Sequence, residues 1–87
     1  MARAEKLFEQ MTRNPKGDFS MEDIQSVCRA FGIACEAPKR GSHFAISHPS
    51  QKSILTVPYN RPIKPVYIRL VVTYVRAVKA SSDDGKA

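Results

Sequence analysis

The sequence predicts an α+β domain in which two helices are followed by three antiparallel strands and a last helix. Apolar residues recur three and four positions apart in segments near both ends of the chain, which is the period of helices. The middle contains short segments typical of strands, joined by connections so tight that neighbouring strands must be antiparallel. With 87 residues, 43% of them hydrophobic, the chain is long enough for one domain with a modest core.

The first half of the chain predicts two helices. The first has about ten residues and ends before Asn14; its apolar positions are Ala4, Leu7, Phe8 and Met11. The second covers residues 21–31. Ser20 is its N-cap and Asp23 takes the place of the usual Glu in a capping box, while Gly32 is suited to end the helix.

Three short strands follow in the predicted order. The first covers residues 33–37, and Pro38 indicates that it lies at an edge or ends there. Gly41 suits a tight turn, so the second strand begins at about His43. After a loop, residues 53–57 make the third strand. These strands form a meander whose one face packs on the helices and whose opposite face stays open.

The last helix is predicted over residues 66–78, although its β-branched residues favour strands. Periodicity decides for a helix, with an apolar stripe formed by Val66, Tyr67, Leu70, Val71, Tyr74, Val75 and Val78. Residues 81–87 are polar and follow no pattern, so we expect a disordered tail after a single domain over residues 1–80.

Charge is unevenly distributed along the chain, which has a net charge of +6. Residues 1–36 contain five basic and six acidic side chains, whereas residues 37–82 contain eight basic side chains and no acid. Such a one-sided field attracts a polyanion, of which nucleic acid is the commonest in a cytoplasm, or an acidic protein.

Location and cysteine use point to an ordinary intracellular protein. No apolar run is long enough for a membrane span and the N-terminus lacks a secretory signal, so a cytoplasmic location is expected. Cys28 and Cys35, on a helix and a strand, could in principle meet, and we interpret them as small buried residues in a reducing compartment. We expect no metal, cofactor or small-molecule substrate.

The candidate catalytic residue is His43. Strand alternation places its side chain away from Phe44, on the open side of the sheet, just after Lys39 and Arg40. These cations could hold a phosphodiester near an imidazole that gives or takes a proton. Ser42, next to His43, joins them as a candidate phosphate ligand.

Arg61 and Lys64 are further candidate phosphate ligands, because they flank the start of the last helix, where free N–H groups favour an anion. Equally, they could only solubilise a proline-rich loop. Tyr59 could stack on a base or cover the loop. His48 beside Pro49 is expected to have a structural role, such as hydrogen bonding within its loop.

Several motifs together resemble the HicA toxins of bacterial type II toxin-antitoxin systems. In chain order they are Gly41-Ser42-His43, His48-Pro49, Thr56-Val57-Pro58 and the segment from Arg61 to Arg69. The resemblance implies a double-stranded-RNA-binding-like fold with an extra N-terminal helix. It also implies a ribonuclease that acts on messenger RNA through His43 and is neutralised by a HicB antitoxin covering that site. Many family members have a histidine or tyrosine where this chain has Phe44, so a two-histidine mechanism is not expected.

The sequence therefore predicts a metal-independent toxin endoribonuclease. A non-catalytic RNA-binding module of the same fold is the alternative, and it would not depend on His43. A protein-interaction domain for an acidic partner is a third possibility.

Overall fold

A computed structural model describes residues 3–41, 43–59 and 62–86, with side chains up to Ser81. Its elements, in chain order, are helices α1 (Arg3–Arg13) and α2 (Met21–Ala30), strands β1 (Ala34–Glu36), β2 (His43–Ser47) and β3 (Leu55–Pro58), and helix α3 (Pro65–Lys86). The strands form one antiparallel sheet in the order β1-β2-β3. The predicted α+β class and order of elements are therefore confirmed.

Both ends of α2 are set by local sequence. The Ser20 hydroxyl accepts a hydrogen bond from the Asp23 N–H at 3.3 Å, and the Asp23 carboxylate accepts one from the Ser20 N–H at 3.0 Å. This reciprocal pair is the predicted capping box. At the other end Gly32 takes a φ of 71°, a conformation that glycine adopts without steric penalty. The chain then turns back along the helix into β1.

The core lies between the helices and one face of the sheet. Alternation along β2 buries Phe44 and Ile46, and Val57 of β3 lies on the same face beside Phe44. All three belong to one buried cluster with residues of the helices. The least exposed helical residues of this cluster are Met11, Ile24, Val27, Cys28, Ile68, Val71 and Val75. The intervening strand residues are left on the other face.

Helix α3 is longer than the sequence predicts, because its backbone continues past residue 78 to Lys86. It thus includes most of the segment expected to be a tail, while the domain boundary at residue 80 stays a prediction. Within the described residues, no helix has both the length and the apolar character that crossing a membrane requires.

The predicted apolar stripe of α3 is partly wrong. Val66 and Leu70 are 52% and 43% exposed, whereas Ile68 and Val72 are buried. The helix has apolar residues over more than half of its circumference, so two overlapping stripes satisfy the same spacing of three and four. The core contains the stripe centred on Val71 and Val75, which leaves Val66 and Leu70 outside it.

Candidate nucleic-acid interface

The open face of the sheet contains His43, which is exposed at the first position of the central strand. Strand register places Pro58 beside it on β3. Because strand residues alternate between the two faces, the register defines which residues share the face of His43. They are Ala34, Glu36, Ala45, Ser47, Thr56 and Pro58. The prediction that His43 points away from the buried Phe44 is therefore confirmed.

Lys39 and Arg40 lie in the connection between β1 and β2, and both are exposed. Gly41, with a φ of 82°, ends the described part of this turn. Ser42, the next candidate ligand, lies outside the described residues. The turn thus brings two cations to the end of the sheet at which His43 begins β2.

Lys64 is exposed immediately before α3. Its carbonyl accepts hydrogen bonds from the N–H groups of Tyr67 and Ile68, at 2.9 and 3.2 Å, so Lys64 opens the helix. The segment before it leaves β3 at Pro58, the cross-strand neighbour of His43, and therefore starts from the same end of the sheet. Arg61 lies outside the described residues. Among the described residues, no hydrogen bond or ion pair joins Lys64 to His43.

Tyr59 covers the edge of the core. Its ring stacks on Phe44 with centroids 5.6 Å apart and planes 26° apart, and the side chain is 58% exposed. One ring face is therefore occupied by the protein. The stacking on Phe44 supports a role for Tyr59 in covering the loop. The exposed part of the ring is still accessible to a base.

His48 has the structural role expected of it. Its Nδ1 accepts a hydrogen bond from the Ser50 N–H at 3.0 Å and lies 2.8 Å from the Ser50 hydroxyl. These bonds close the loop after β2, at the opposite end of that strand from His43. The two histidines therefore do not form one site.

Sequence reasoning missed two residues of the open face, Glu36 and Thr56. Both flank Ala45 in one row across the sheet, so each is a diagonal neighbour of His43, with Cα atoms roughly 7 Å away by sheet geometry. Alternation along residues 33–37, combined with antiparallel pairing, was the signal that could have found Glu36. Glu36 thus adds one carboxylate to the sheet face that His43 shares, close in the chain to Lys39 and Arg40.

In the part of the chain that the structure describes, no carboxylate forms an ion pair with Lys39, Arg40 or Lys64. An ion pair does join Arg13 to Glu9 on α1, at 2.9 Å. The charge of Lys39, Arg40 and Lys64 is therefore available to an anionic ligand.

The remaining cations correct the expectation of a single basic side. The Lys79 ammonium lies 5.5 and 5.2 Å from the ring centres of Phe8 and Phe31, over α1 and the end of α2. Arg69 and Arg76 line a groove that α3 forms with α1. Basic residues therefore divide between at least two surfaces, because α3 carries its cations to the helical side of the domain.

The described residues contain no cluster of three or more histidine, cysteine or acidic side chains able to hold a metal ion. No protein-family model, curated protein or solved structure matches the chain.

Proposed function

We propose that the protein is an endoribonuclease that cleaves messenger RNA, with His43 as its general acid or base. The observation that carries this proposal is the exposure of His43 on the open sheet face, beside a turn with two exposed cations, Lys39 and Arg40. An imidazole next to a phosphate-binding turn has the two components that phosphodiester cleavage needs: proton transfer and charge stabilisation.

The proposed reaction is attack by the ribose 2′-OH on the adjacent phosphorus. A base removes the hydroxyl proton as the new O–P bond forms, and the 5′-oxygen leaves with a proton from an acid. His43 supplies one of these transfers. Lys39 and Arg40 offset the negative charge that accumulates on the phosphoryl oxygens, with Ser42, Arg61 and Lys64 as further phosphate ligands. No metal ion takes part, and DNA, which lacks the 2′-OH, is not cleaved.

The biological setting in this proposal rests on the resemblance to HicA toxins. The protein acts as a toxin in the cytoplasm, and a cognate HicB-like antitoxin neutralises it by covering the His43 site. The dsRNA-binding-like description agrees with the observed order of elements and the open sheet face.

Cleavage of a labelled messenger RNA in excess chelator tests the proposal. We expect the wild type to cleave, His43→Ala to lose at least a hundredfold in rate, as is typical for removal of an acid–base group, and His48→Ala to retain activity. His48 is a matched control because it is the other histidine of the chain and lies at the far end of the same strand. DNA of the same sequence should remain intact.

Cleavage that survives in His43→Ala would overturn the catalytic role, and loss of wild-type cleavage with chelator would overturn the metal-free mechanism. If RNA is bound but never cleaved, and His43→Ala binds it equally well, the protein is an RNA-binding module. If RNA is not bound at moderate salt, an acidic protein partner is the remaining explanation for the basic turn.

A further inference from the structure

Cys28 and Cys35 are brought together by the turn that ends α2. Phe31 is the C-cap, Gly32 takes a positive φ, and the Ile33 N–H donates a hydrogen bond to the Cys28 carbonyl at 2.8 Å. This turn sends β1 back along the helix that precedes it. Two cysteines seven positions apart thereby become neighbours across the α2–β1 contact.

The two cysteines meet in one apolar cluster, in which Cys35 packs against the group that contains Cys28, but they differ in environment. Cys28 is 0% exposed, whereas Cys35 is half-buried. The Cys28 thiol donates a hydrogen bond to the sulfur of Cys35, which raises the pKa of Cys28, together with burial, and lowers the pKa of Cys35. The partly exposed sulfur is therefore the one that more readily becomes a thiolate, the nucleophilic form of cysteine.

Solvent reaches Cys35 through an open pocket of about 230 Å³, whose lining also includes Gln25, Arg29 and Ile33. A small oxidant fits in such a space, and the guanidinium of Arg29 makes it cationic. Cys28 does not line this pocket. An oxidant entering here meets Cys35 first, whereas Cys28 is buried in the core.

We propose that Cys35 and Cys28 are a peroxide-sensitive dithiol, in which Cys35 reacts with a hydroperoxide and Cys28 then closes an intramolecular disulfide. In the first step the Cys35 thiolate attacks one peroxide oxygen, the O–O bond breaks and the other oxygen leaves after protonation, as water from hydrogen peroxide or as an alcohol from an organic hydroperoxide. In the second step the Cys28 sulfur attacks the Cys35 sulfenic acid, forms the S–S bond and releases one water, which carries away the sulfenic hydroxyl and the Cys28 proton. Two electrons pass from the thiols to the peroxide.

This assignment differs from the interpretation of the cysteines as inert apolar residues, and it is compatible with a reducing compartment. Disulfides in reducing compartments are typically transient and redox-sensing. The bond would tie α2 to the edge strand β1, which leads directly into the turn with Lys39 and Arg40. The proposal does not depend on ribonuclease activity.

The test treats the full chain with hydrogen peroxide at neutral pH, blocks remaining thiols with N-ethylmaleimide and determines the mass of the intact protein and of its peptides. We expect the wild type to lose the mass of two hydrogen atoms, to yield a linked Cys28–Cys35 peptide and to recover both thiols with dithiothreitol. Cys28→Ala should accumulate a Cys35 sulfenic acid that dimedone traps. Cys35→Ser should leave Cys28 reduced.

Three results would overturn the proposal. They are wild-type thiols that stay fully labelled under peroxide doses that oxidise free cysteine, equal oxidation of Cys28 in wild type and Cys35→Ser, and disulfides that form only between molecules. Peptide mapping of the wild type alone decides the first and the third of these results, so the proposal stays testable even if a variant does not fold.

Discussion

The exposed face of β2 distinguishes residues that look alike in the sequence. His43 and His48 are five positions apart, yet one begins the strand on the open face and the other closes a loop through Ser50. Glu36 looks like the last acid of the acidic half of the chain, but register places it on the same face as His43. Its carboxylate would repel an RNA backbone bound there.

Replacing this carboxylate should strengthen RNA binding. We expect Glu36→Gln to lower the Kd for a short single-stranded RNA about two- to fivefold at low salt, the range of an exposed charge interaction. Fluorescence anisotropy measures the effect. Glu22→Gln, which removes an equally exposed acid from α2, is the control and should leave the Kd unchanged. Equal effects of both substitutions would mean that only net charge matters.

At the scale of elements, α2 positions much of the molecule, because it packs into the core with Ile24 and Val27 and its C-terminal turn directs β1. Its start and its end depend on few residues. The boundaries of α2 were therefore predictable to within one residue. For α3, which has a broad apolar surface and no distinct end signal, the predicted stripe was partly wrong and the predicted helix too short.

Loss of the capping box should destabilise the whole domain. We expect Ser20→Ala to lower the free energy of unfolding by about 1 kcal/mol, because it removes the acceptor for the Asp23 N–H. Urea denaturation followed by circular dichroism measures the change. Ser53→Ala, at an exposed loop position, is the matched control and should change stability little. Similar losses in both would argue against the cap.

The turn at Gly32 should tolerate asparagine better than alanine. A Cβ there has no neighbour within 4 Å, so the penalty comes from the backbone conformation and not from a clash. We expect Gly32→Ala to cost about 1–2 kcal/mol of unfolding free energy and Gly32→Asn clearly less, since asparagine adopts positive φ more readily. Thermal and urea unfolding provide the comparison. A larger loss with asparagine would contradict this explanation.

On the scale of the whole molecule, the cations after residue 36 fall into separate groups. Lys39 and Arg40 lie at the sheet end that contains His43, whereas Lys79 lies over Phe8 and Phe31 on the helical side. Lys79 therefore contributes to packing between α3 and the other helices. An RNA bound at His43 should meet only part of the positive charge that the sequence suggests.

Salt dependence separates these groups. If Lys39 and Arg40 each contact a phosphate, their double replacement by alanine should reduce the slope of log K against log salt by about 1.4 for single-stranded RNA. The control replaces Arg3 and Lys6, exposed on α1, and removes the same charge. It should shift affinity weakly and leave the slope nearly unchanged. Equal slopes for the two double variants would exclude a phosphate contact at the turn.

Local patterns in the sequence determined the α+β class, the order of the elements, the cap at Ser20, the turns at Gly32 and Gly41, and the outward direction of His43. Each depends on residues close together in the chain, for which backbone preference and periodicity are sufficient. The same reasoning separated His48 from His43, since a histidine before a proline at a strand end suggests a loop.

Tertiary structure alone decided which residues from different elements meet. Strand register placed Glu36 and Thr56 near His43, helix rotation exposed Val66 and Leu70, and the turn after α2 packed Cys35 against the cluster that contains Cys28. In each case the local pattern allowed more than one arrangement. Packing selects among them because a shift of one residue changes which side chains a strand or helix buries.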